Sequence, residues 1–90
     1  MSSQKLSEFA KIAHALGQEA SEYPEVDPND IIGECRQEDT QLRVVSGSGN
    51  TPELFREVVE DVVNKFNSDS GNSYTVDFVT VDSDQIAIIA

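Results

Sequence analysis

The sequence predicts an α+β fold, a two-layer sandwich in the order αββαββ, with a mainly antiparallel four-stranded sheet and two helices. Three observations carry that prediction. Phe55, Val58, Val59, Val62, Val63 and Phe66 recur at helical spacing, which draws one apolar face on a helix over 51–67. Tyr74, Val76 and Phe78 alternate with Thr75, Asp77 and Val79, the period of a strand with one buried face. A second amphipathic stretch over 3–21 and two short apolar runs around 31–46 supply the remaining elements.

The first helix carries Leu6, Phe9, Ala10, Ala13, Leu16 and Ala20 on one stripe, widened by Ile12. Ser2 or Ser3 is placed to cap it. Gly17 weakens its last turns, which predicts an early end. The segment 22–30, "EYPEVDPND", holds two prolines and four acids. Each proline biases its predecessor away from helix, so the segment reads as an acidic linker or extended arm.

Strands follow at 31–37 and 41–46, joined by "QEDT". On the first, Ile31, Gly33, Cys35 and Gln37 share a face, with Ile32, Glu34 and Arg36 on the other. Helix 51–67 has Asn50 as its cap, Pro52 in its first turn and Glu53 at the capping-box position. Four valines are mediocre helix formers, so packing against a sheet must hold it. A loop with Gly71 leads to the last hairpin, "SYTVDFVTV" and "QIAIIA", turned by Asp82, Ser83 and Asp84. The chain-terminal strand has no charge to guard an open edge.

Ninety residues make one domain, and a chain this short buries only about 60–65% of its unfolded surface. One cysteine, Cys35, makes no internal disulfide, which fits a reducing compartment. The opening residues lack a signal-peptide run and no stretch spans a membrane, so the expected location is the cytoplasm. Seventeen acids against six bases give a formal charge of −11. Such a chain is repelled by nucleic acid and by anionic membranes, and attracted to basic protein surfaces. Solubility or adaptation to high salt is the competing reading of the same acidity.

The loop between strand and helix invites a ligand. "SGSGNT", Ser46 to Thr51, resembles the phosphate loop of flavodoxins, where hydroxyl residues, a glycine and a threonine wrap the flavin phosphate. The resemblance implies a phosphate-bearing ligand held by Ser46, Ser48, Gly49, Asn50 and Thr51. Against it, too little chain follows Val45 for a flavodoxin-like sheet. Only Arg43 and Arg56 stand near, and Pro52 occupies the place of a third dinucleotide-fingerprint glycine. The plainer reading is a strand-to-helix corner, with Gly47 or Gly49 at positive φ.

Other chemistry is thinner still. His14 is solitary and lies beside the apolar stripe. Cys35 has no base placed near it, as a nucleophile needs, and reads as a half-buried structural thiol. "DSD" starts like a calcium loop but lacks the later glycine and glutamate. No catalytic residue, metal or cofactor is expected, and the protein is read as a non-enzyme.

The distribution of acids is the remaining signal. Glu53, Glu57, Glu60 and Asp61 form a stripe on the second helix, neighbours about 5–6 Å apart. Glu22, Glu25 and Asp27 belong to a second acidic segment. If the two adjoin, their carboxylates form a line like a phosphate backbone. The expectation is therefore an acidic protein-binding module, an inhibitor or nucleic-acid mimic of the phage or mobile-element type. It would occupy the basic surface of a partner, such as a nucleic-acid-binding protein. From Gln41 to Ala90, the βαββ order resembles that of many small domains, some acidic modulators of DNA-repair recombinases among them. An assembly subunit pairing through strand edges is a further reading.

Overall fold

The computed structural model describes residues 2–38, 40–47 and 52–90, with side chains from residue 7 onward. Its elements are helix α1 (Ser2–Ala20), a single helical turn α2 (Pro28–Ile31), strands β1 (Ile32–Gln37) and β2 (Leu42–Ser46), helix α3 (Pro52–Ser70), and strands β3 (Val76–Val81) and β4 (Asp84–Ile89). The four strands form one antiparallel sheet in the order β1-β2-β4-β3. The fold is α+β, as predicted, with a third short helix added to the expected two.

β2 and β3 run in the same direction, with α3 crossing between them and β4 inserted in the gap. That insertion corrects the expectation of an open terminal strand. β4 is hydrogen-bonded on both sides, and the sheet edges are β1 and β3. Thr75 and Ala90 extend the last ladder by exchanging backbone hydrogen bonds at 2.9 and 3.1 Å.

The core lies between one sheet face and the two long helices. α3 buries Phe55, Val58, Val59, Val62 and Val63, the predicted face, with Phe66 half-buried at its end. Each fully buried side chain of this kind contributes about 1.5–3 kcal/mol, which outweighs the poor helix propensity of valine. Gly71, at φ 74°, closes the helix and donates its N–H to the Asn67 carbonyl, the usual C-terminal glycine role. The predicted cap Asn50 lies outside the described residues.

In α1 the buried stripe is Phe9, Ile12, Leu16 and Ala20. Ile12 is central rather than flanking, and Ala10 is exposed. The side chain of Leu6 is outside the described set. The helix also runs through Gly17 to Ala20, because burial of Leu16 and Ala20 outweighs the glycine's backbone entropy. A Cβ at Gly17 would meet nothing within 4 Å. Gly17→Ala is expected to raise stability by about 0.5–1 kcal/mol, read as a higher denaturant midpoint.

The 22–30 segment is not an extended arm. Backbone bonds from Glu22 to Glu19, Tyr23 to Ala20 and Val26 to Tyr23 fold it into turns. Tyr23 and Val26 pack against the core. Asp27 caps α2 by accepting the Asn29 N–H at 2.9 Å, with Pro28 in the first turn. The one-turn helix delivers Ile31 to the core at 0% exposure. On β1 the register shifts between Ile32 and Glu34. This bulge returns Ile32 to the core side, opposite Ser46, instead of the outer side that strict alternation assigned. Asp82 and Ser83, both at positive φ, form a two-residue hairpin turn whose twist matches the strands.

One polar cluster ties α1 to the loop before β3. The Tyr74 hydroxyl donates to Glu8, and Asn72 donates to the other Glu8 oxygen at 3.0 Å. The Tyr74 ring packs against Phe9 and Phe66 at 5.6 and 6.0 Å. Asn67 accepts the Tyr74 N–H and donates to its carbonyl. Burial, then the hydrogen bond to Glu8 and that residue's charge, pushes the Tyr74 phenol up to about 12. An unfolded tyrosine ionises near 10. The protonated phenol is thus favoured by folding, and its stabilisation is complete below about pH 10 and lost toward about pH 12. After discount for partial exposure, this amounts to about 1–2 kcal/mol. The stability gap between the native chain and Tyr74→Phe is expected to close across that window. A gap constant with pH refutes the assignment.

Candidate functional site

The helical layer presents the acids. α1 ends beside the middle of α3, so residues far apart in sequence meet there. Tyr23, in the turn after α1, is the reference point. Its phenol is raised first by burial and then by the negative charges of Glu57, Glu19, Asp61 and Glu22. Four carboxylates from two segments therefore lie within electrostatic reach of one hydroxyl.

Glu19 and Asp61 share one cation. Lys65 Nζ bridges them, at 3.2 Å from Glu19 Oε1 and 3.1 Å from Asp61 Oδ2. The Glu19 side chain is only 13% exposed. Burial raises its pKa, as does the hydrogen bond it shares with Asp61, while Lys65 opposes the shift. Asp61 is held below the ordinary range by the same hydrogen bond and by Lys65. Lys65 is raised in turn by both carboxylates. Glu19 thus takes up a proton more readily than an isolated glutamate would. A groove of about 270 Å³ opens beside it, lined by Gln18, Glu19, Glu22, Val62, Lys65 and Asp69 among others.

Of the predicted partner-binding residues, Glu22, Glu57 and Asp61 are brought together. Glu53 stands one turn before Glu57, exposed in the first turn of α3, where a negative charge suits the helix dipole. Glu60 points to the opposite flank, into a cleft with Asn64, Tyr74 and Thr75. Glu25 and Asp27 are exposed further along the loop, Asp27 with one oxygen engaged as the α2 cap. Glu19 is the member that sequence reasoning left out of the site. Its signal was its place between Leu16 and Ala20, at the border of the apolar stripe.

The glycine corner is only partly described, since Ser48, Gly49, Asn50 and Thr51 fall outside the described residues. The described part is engaged within the fold. The Ser46 hydroxyl accepts the Gln85 N–H at 3.2 Å, and the Gly47 N–H donates to Ile31 at 3.0 Å. Gly47 is not among the described residues at positive φ. Its glycine is required by the close approach of the α2 backbone instead.

Cys35 is half-buried on the core side of β1, opposite Val44, and burial followed by the charge of Glu34 raises its thiol pKa, which disfavours the nucleophilic thiolate. His14 is exposed. Among the described residues, no three or more His, Cys, Asp or Glu side chains are arranged to hold a metal ion, and no helix is long and apolar enough to cross a membrane. Compared with models of protein families, with curated proteins and with solved structures, the chain has no significant match.

Proposed function

We propose that the chain is a non-enzymatic binding module that occupies a basic surface of a partner protein, acting as an inhibitor or nucleic-acid mimic. The observation that supports this reading most directly is the convergence of Glu19, Glu22, Glu57 and Asp61 around Tyr23. On this reading, two acidic segments that are separate in sequence act on the partner together. Glu53, one turn before Glu57 on α3, and Glu25 and Asp27, exposed in the loop, would extend the contact. The mechanism is competition. Carboxylates on a helix face pair with the Lys and Arg side chains that otherwise hold phosphates, and like charges across the face reject acidic partners. Association is fast and weakens with salt.

The test uses proteins captured from the native host on the immobilised chain at low salt and released at high salt. A released nucleic-acid-binding protein is then assayed for duplex-DNA binding with and without the chain. Inhibition is expected. The triple variant Glu22→Lys, Glu57→Lys, Asp61→Lys is expected to lower the association rate by about tenfold or more at low salt. An association rate that the triple reversal leaves untouched rules out this face.

A further inference from the structure

The helices cover one face of the sheet and leave the other open. On the open face, Val45, Ile86 and Ile88 are half-buried, and Val79 and Val81 are 40% and 49% exposed. None of these five belongs to the core or packs against it. The register places them side by side, with Val45 opposite Ile86 and Ile86 opposite Val79. An apolar patch on a strongly acidic chain is a recognised mark of an interface.

The charges around the patch are ordered. One row across the sheet reads Arg36, Arg43, Ile88, Asp77, from the β1 edge to the β3 edge. The next reads Glu34, Val45, Ile86, Val79. Asp84 lies at the end of the patch, opposite Val81. Among the described strand residues, Arg36 and Arg43 thus stand on this face against Glu34, Asp77 and Asp84, a far more even mixture than the six bases and seventeen acids of the whole chain. Among the described residues, Arg36 pairs with Glu34 of its own strand, at 3.1 Å and with both side chains more than half exposed. The Arg43 Nε is buried and has no hydrogen-bond partner among the described residues.

We infer that this face binds a second copy of the chain, sheet against sheet, about a two-fold axis running along the strands between β2 and β4. That rotation sets β1 of one copy over β3 of the other. Arg36 then faces Asp77 of the second copy, and Val45 faces Ile86. Stacked sheets lie about 10 Å apart, with strands aligned within about 30°, a gap that an arginine spans. The face thus complements itself in both charge and apolar character, as a two-fold contact must. A basic partner does not fit here, because the face is close to neutral. Four strands of about six residues give a face roughly 20 Å on a side. This is below the standard size of specific interfaces and in the range of weak, transient contacts, so dissociation in the micromolar range or weaker is expected.

Salt separates this contact from the acidic face. Two bodies of the same large charge repel, so screening strengthens the dimer, whereas it weakens capture of a basic partner. Sedimentation equilibrium of the full chain from about 10 μM to about 1 mM is expected to show a monomer–dimer equilibrium. The dimer constant rises between about 50 mM and about 500 mM NaCl. Val79→Lys, on an exposed edge position, is expected to weaken dimerisation at least about tenfold while leaving the circular dichroism spectrum unchanged. Arg36→Glu alone weakens it, and adding Asp77→Arg restores it. A mass of 9.9 kDa at every concentration and both salts overturns the proposal. So does a dimer indifferent to Val79→Lys, or a charge swap that fails to restore association.

Discussion

Gly47→Ala is expected to cost about 3 kcal/mol or more and to lower the melting temperature by roughly 12–24 °C. A Cβ at this position would stand 2.5 Å from the Asp30 carbonyl oxygen, and closer still to that of Asn29. Both are backbone atoms of the α2 turn, so no side chain can swing aside to admit the methyl group. Either β2 or α2 must move. If α2 moves, the Gly47–Ile31 hydrogen bond opens and Ile31 leaves its fully buried site. Loss of the bond costs about 1 kcal/mol, and partial exposure of an isoleucine adds about 1–2 kcal/mol. Residual strain accounts for the rest. Urea unfolding of the two chains measures the difference. A change under about 0.5 kcal/mol means that the corner is not pressed against α2 as described. Gly17→Ala, expected to stabilise, is the internal control: it shows that an added methyl group is harmful only where backbone crowds it.

The same corner shows how far the sequence could be read. Glycine at 47 was legible as a strand-to-helix corner, but its cause was not, because the crowding comes from α2, a one-turn helix hidden within a proline-rich segment. Asp27 followed by Pro28 is a helix-start signal. Two prolines and four acids read more strongly as a linker, and burial of Ile31 decided the outcome. Periodic elements were legible because their signal repeats. The apolar face of α3 needed only its own spacing. Gly33 broke the pattern of β1, and a bulge then carried Ile32 across the sheet, which alternation alone cannot foresee. The sheet order also escaped the sequence. Nothing local to "QIAIIA" states that it will lie between two strands, since that depends on the crossover made by α3. The placement of the acids was half legible. Helical spacing put Glu53 and Glu57 one turn apart but also grouped Glu60 with them, which lies toward the opposite flank. The approach of Glu19 and Glu22 to α3 depends on where α1 ends, and Gly17 pointed to the wrong place.

Phe55→Ala is expected to destabilise the fold by about 3–5 kcal/mol, at least a fifth of the roughly 5–15 kcal/mol typical of a domain. Phe55 is fully buried and meets the Phe78 ring edge-on, centroids 6.1 Å apart at 74°. Arg56 covers the same Phe78 ring, with its guanidinium carbon 5.1 Å from the centroid. Removing the Phe55 ring therefore leaves a cavity beneath α3 and takes away the support of its first turns. The helix has little to fall back on. Like charges at Glu53, Glu57 and Glu60, three and four residues apart, work against it, and its valines are poor helix formers. A 19-residue helix of this composition does not persist without a packed face. Glu53 and Glu57 are consequently held in line by the core beneath them, so stability and partner binding are expected to fall together in Phe55→Ala. In Glu57→Gln, by contrast, the fold stays intact and only binding declines. Circular dichroism melts set beside association rates for the two variants test this coupling. If Phe55→Ala keeps full helicity and loses less than about 1 kcal/mol, α3 is not held by the sheet, and the acidic face has no rigid support on which to act.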